Sequence, residues 1–89
     1  MRLFEEFLHD AGASACRRIL DAVRAKETLP ERVIDEFNSN CFDLTINHEE
    51  GSVLLEDVPD VSPEGRERFA LDDFVWLLAA AEVRLSTRA

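Results

Sequence analysis

Leu3, Phe4, Phe7 and Leu8 recur at helical spacing and predict a short first helix with one apolar face, ending near Gly12. In the next segment Ala15, Ile19, Leu20 and Val23 share a face, while Arg17, Arg18, Asp21, Arg24 and Lys26 decorate the other side, the pattern of an amphipathic helix. Thr28-Leu29-Pro30-Glu31 fits a capping box, with Pro tolerated in a first turn whose N–H groups lack intrahelical partners. A third short helix is expected to follow, turning Val33, Ile34 and Phe37 to the core and stopping at Asn38-Ser39-Asn40. The helical region predicted in this way is 1–40.

The period changes to two at Cys41, where Phe42, Leu44 and Ile46 alternate with Asp43, Thr45 and Asn47 as a half-buried strand requires. His48-Glu49-Glu50-Gly51 reads as a turn, with Gly51 available for positive φ, and residues 52–57 return as the second strand of a hairpin. Pro59, Pro63 and Gly65 punctuate a polar loop. Residues 66–69 are expected to add a short third strand, because a hairpin alone is weak in water. Leu71-Asp72-Asp73-Phe74 then opens a final helix with both acids in the first turn, where the helix dipole favours negative charge. It is expected to run to about Leu85, with Phe74, Leu77, Leu78, Ala81 and Leu85 on one apolar face. Trp76, Ala80 and Val83 extend the apolar surface around the cylinder, and core packing is the first assignment for Trp76.

The expected architecture is α+β in one globular domain, 1–89. It comprises N-terminal helices, a two- or three-stranded antiparallel meander over 41–70, a long C-terminal helix over 71–85 packed on the sheet, and a frayed tail over 86–89. A chain of 89 residues has room for one modest core, and 46% hydrophobic with 33% charged residues argues against wholesale disorder. The longest apolar run, residues 74–81, is far below the roughly 20 needed to span a bilayer. Glu5 and Glu6 stand where a signal peptide would need an apolar stretch, so no export signal is expected and the assignment is cytoplasmic. Cys16 and Cys41 are read as reduced thiols.

Candidate chemistry is sparse. His9, Asp10, Cys16, Cys41, His48, Glu49 and Glu50 match no metal-ligand spacing, and His9 and Cys16 lie about 10 Å apart along a helix axis. His48-Glu49-Glu50 reads as solvated residues at a hairpin tip. Arg17 could lower the pKa of Cys16, but a small buried side chain is the first reading of that cysteine. The three glycines form no phosphate-binding fingerprint. Carboxylate pairs such as Glu5-Glu6 and Asp72-Asp73 read as solvated surface without a cleft. The expectation is a protein with no catalytic site and no cofactor.

Charge changes the picture. The net charge of −9 disfavours nucleic acid and anionic membrane as partners. Residues 42–73 hold ten acids (Asp43, Glu49, Glu50, Glu56, Asp57, Asp60, Glu64, Glu67, Asp72 and Asp73) against Arg66 and Arg68, a local charge of −8. Solubility and the discouragement of edge pairing account for such a distribution, and so does a docking face for a basic protein.

The acidic hairpin, Phe42-Asp43-Leu44-Thr45-Ile46 and Ser52-Val53-Leu54-Leu55-Glu56-Asp57, with its polar loop and closing helix Leu71-Asp72-Asp73-Phe74-Val75-Trp76-Leu77-Leu78, resembles the small acidic immunity proteins of bacterial polymorphic-toxin systems of the contact-dependent growth inhibition type. The resemblance implies a cytoplasmic toxin inhibitor, a monomer or weak dimer when free. Its implied partner is a toxin's C-terminal domain, often a nuclease, whose basic active-site surface it covers. Under that resemblance Asp43, Glu49, Glu50, Glu56, Asp57 and Asp60 are the expected partner-binding residues. The alternative is a homo-oligomeric or regulatory adaptor that binds through the apolar C-terminal helix, using Val75, Trp76 and Val83.

Overall fold

The computed structural model describes residues 2–25, 33–59 and 63–86. Helix α1 (Arg2–Ala25) is broken at Gly12, where φ is 81° and ψ is 179°, so two helical segments meet at the break that the sequence predicts. Strands β1 (Ile34–Asn38), β2 (Phe42–Asn47), β3 (Ser52–Asp57) and β4 (Arg66–Ala70) follow, with a single 3-10 turn at Pro63–Gly65 before β4. Helix α2 (Leu71–Ser86) starts at the next residue after β4. The sheet is an antiparallel meander in the order β1-β2-β3-β4.

The fold class is α+β, and the sheet has four strands where two or three were expected. The additional strand is the predicted third helix. Val33, Ile34 and Phe37 mimic a helical face, but Ile34 points out of the sheet while Asp35 and Phe37 take the inward positions, register partners of Ile46 and Leu44. Pairing with β2 overrides the weak helical pattern, and a hydrogen bond from Ser39 N–H to the Phe42 carbonyl (2.9 Å) closes the connecting turn. The helical region therefore stops at Ala25 among the described residues, not at 40. The capping box at 28–31, Lys26, Asp60 and the tail from 87 lie outside the described residues.

Both helices lie against one face of the sheet. Leu3, Phe4, Phe7, Leu8, Cys16, Ile19 and Leu20 of α1 meet Phe74, Leu78 and Ala81 of α2 and the inward residues Phe42, Leu44, Ile46, Val53 and Leu55 in one core. Fully burying a side chain of this size is worth about 1.5–3 kcal/mol. Phe4 joins three elements, its ring 5.6 Å from Phe74 at 81° and 6.1 Å from Phe69. Phe7 meets Phe42 edge-on at 6.0 Å. The helices are tied by Arg17 Nε to Glu82 Oε1 (2.7 Å) and by Arg84 to Glu5 (3.8 Å). Trp76, first assigned to the core, is 72% exposed, and Val83 is 65% exposed. The α2 face made by Phe74, Leu78 and Ala81 fills the available space, leaving Trp76 on the far side of the cylinder.

Each edge strand carries one inward acid with a partner. On β4, Glu67 Oε1 accepts from the N–H of Leu3 (2.8 Å), placing a carboxylate at the first turn of α1, where N–H groups lack intrahelical partners. On β1 the inward acid is Asp35, bound to His48. Asp10 reaches from α1 to the β1–β2 turn, with Oδ2 3.3 Å from the Cys41 N–H. Its carboxyl is held below its ordinary value of 3.8 by the neighbouring Ser39 hydroxyl first, against opposing desolvation, and then by Cys41 and Asn40. The Ser39 hydroxyl is buried beside this carboxylate without a bond of full hydrogen-bond geometry.

A Cβ at Gly12 would meet nothing within 4 Å, so the constraint there is the backbone alone. This combination of φ and ψ is open essentially to glycine only. Gly12→Ala is expected to lower the unfolding free energy by about 1–3 kcal/mol, read by urea denaturation; an unchanged midpoint would mean that the break relaxes freely.

Candidate functional site

The sheet face away from the helices is organised in rows by the strand register. One row crosses the sheet as Asn38, Asp43, Glu56 and Arg66. The next holds Glu36, Thr45, Leu54 and Arg68, and the third holds Ile34, Asn47, Ser52 and Ala70. Acids therefore occupy β1 to β3 and both arginines stand on the β4 edge, so the face is polarised across the strands.

Asp43 and Glu56 are direct cross-strand partners. Side chains in that relation have Cβ atoms about 4.5–5.5 Å apart, and like charges placed so destabilise a sheet. Each carboxylate leans outward on its own donor. Arg66 Nε lies 3.3 Å from Glu56 Oε2, and the Asn38 amide, turned with its nitrogen toward the strand, donates to Asp43 Oδ1 at 2.7 Å. The row reads donor, acid, acid, base. The two carboxylates are thus neighbouring acceptors on one face, the kind of pair that the planar N–H fork of an arginine can engage.

The six acids expected at the site do not share one surface. Asp43 and Glu56 sit together. Asp57, one residue on, is the register partner of buried Phe42 and faces the helix side, beside Glu6, His9, Asp10, Cys41 and Pro59. Glu49 and Glu50 are exposed in the turn at the opposite end of the hairpin, roughly 20 Å from Asp43 at strand rise. Glu50 is held there by a reciprocal pair: its N–H donates to Asn47 Oδ1, and the Asn47 amide donates to Glu50 Oε1, both at 3.0 Å. Asp60 is outside the described residues. Glu36 and Asn38 join the face instead, unanticipated because their segment was read as helix and its end.

His48 is not a solvated tip residue. Its side chain is 3% exposed, and Nε2 lies 2.7 Å from Asp35 Oδ2, the inward acid of β1. The histidine thus braces the edge strand from within. No set of three His, Cys, Asp or Glu side chains among the described residues is grouped to hold a metal ion. Cys16 is buried and burial pushes its thiol up, with Glu82 adding to the rise, opposite to the lowering that Arg17 could have given. Arg17 points to Glu82 instead. Both cysteines are free, Cys16 in the core and Cys41 exposed at the start of β2.

Two substitutions test this geometry. His48→Ala leaves a partly buried carboxylate short of a donor and is expected to cost about 1–3 kcal/mol in chemical denaturation; a neutral result would remove the bracing role. Asp43→Asn relieves the repulsion with Glu56 while keeping its shape, and a gain of about 0.2–1 kcal/mol is expected in the same assay, whereas a loss would mean the pair is not in conflict. Comparison of the chain with protein-family models, with curated proteins and with solved structures finds no match in any of the three.

Proposed function

We propose that this chain is a non-catalytic protein-binding domain whose uncovered sheet face docks a basic protein, as an immunity protein covers the substrate groove of its cognate toxin in the cytoplasm. The observation that supports this reading is the placement of Asp43 and Glu56 side by side on a face that neither helix covers. Adjacent like charges cost stability in the free protein, and a cation inserted between them turns that cost into attraction. In this reading the carboxylates stand where the phosphates of a nuclease substrate would lie. Glu36 extends the negative field toward β1, while half-buried Leu54 and exposed Ile34 add apolar contact. Arg66 and Arg68 on β4 repel a basic surface and so set the orientation of docking. Among the described residues no helix is long and apolar enough to cross a membrane.

The test is affinity capture from the source cells at low salt, followed by titration of the captured toxin domain. Wild type should retain a basic domain with an affinity that falls as ionic strength rises. Reversing both carboxylates, Asp43→Lys with Glu56→Lys, should weaken binding by at least about 2–5 kcal/mol, while Glu49→Lys with Glu50→Lys should leave most of it. Equal binding by the first pair and by wild type would remove the sheet face from the mechanism.

A further inference from the structure

The helix layer presents a second surface, on the other side of the molecule. The exposed positions of α2 are Asp72, Asp73, Trp76, Ala80, Val83 and Arg84, and the steps of three and four between 73, 76, 80 and 83 make them one continuous stripe. Acids open the stripe in the first turn, Arg84 closes it in the last, and Trp76, Ala80 and Val83 lie between. The charged ends suit the dipole of α2 itself. That order also makes the stripe complementary to its own reverse.

We propose that this face pairs antiparallel with the same face of a second copy of the chain. With the two-fold axis opposite Leu78, Asp72 lies across from the partner's Arg84, Trp76 across from the partner's Ala80, and Asp73 across from the partner's Val83. Symmetry repeats each contact. The indole, a side chain of about 150–250 Å², gains a seat over a residue with only a methyl group, roughly 6 Å along the helix from the other indole. Arg84 keeps its 3.8 Å contact to Glu5 while its charge also faces the partner's Asp72. A single helix face buries less than the approximately 1,000 Å² of a stable interface, so the dimer is weak and reversible. It leaves the sheet face of both copies open, and it stands whether or not that face binds a toxin.

The sequence holds one Trp and no Tyr, so emission reports Trp76 alone. Emission should shift to the blue as concentration rises from micromolar to about 1 mM, in step with a monomer–dimer equilibrium in sedimentation. Asp72→Arg sets like charges opposite each other twice and should weaken the dimer at least about tenfold, and Asp72→Arg with Arg84→Asp should restore most of that loss. Trp76→Ser, a change at an exposed position, should keep the monomer's circular dichroism and abolish association. A monomer at 1 mM, self-association with unshifted emission, or a double exchange no tighter than Asp72→Arg would overturn the proposal.

Discussion

Two helices must cover one face of a four-stranded sheet, and every other feature follows from how that is done. The inward residues of β2 and β3, Phe42, Leu44, Ile46, Val53 and Leu55, are apolar and buried, with Asp57 as the half-buried exception at the end of β3, so the middle of the sheet is sealed by α1 and α2 directly. The edges are different. Each edge strand carries one inward aromatic, Phe37 or Phe69, and one inward acid, Asp35 or Glu67. Inward charge on an edge strand also discourages another chain from extending the sheet. Both acids have partners, a buried imidazole and a helix N-terminus.

The same constraint divides the surface into two kinds. The side without helices is a mostly polar grid in which charge changes sign from one edge to the other. The side with helices is curved, and its outer rim carries the apolar side chains that the single core could not absorb. A small domain built in two layers thus has two chemically distinct faces, back to back, with the core between them. A ligand on one does not obstruct the other.

Much of this was legible in the sequence where local period and final environment agree. Strand β2 alternates without interruption, Gly51 adopts φ 67° as its turn demands, and the break at Gly12 separates two helical faces. The segment 34–38 was not legible, because its inward phase contains a carboxylate and its outward phase an isoleucine. His48, remote in sequence, helps to make Asp35 acceptable inside. Exposure of Trp76 was equally hidden, since helical period alone does not say how wide a face the core needs. The acids were readable one by one but not as a site: alternation already separates Glu56 from Asp57, whereas the opposition of Asp43 and Glu56 depends on strand register.

The bond between Leu3 and Glu67 joins positions 64 residues apart, and the pair Arg17 and Glu82 spans 65. Helix α1 precedes its partners in the chain: Phe7 can find Phe42 once β2 has been made, but the bond at its start cannot close until β4 has been made. Its ion pairs wait for the second half of α2. On the ribosome, α1 thus carries an incompletely covered apolar face until β4 and α2 have followed it, and the docked state has to wait for both.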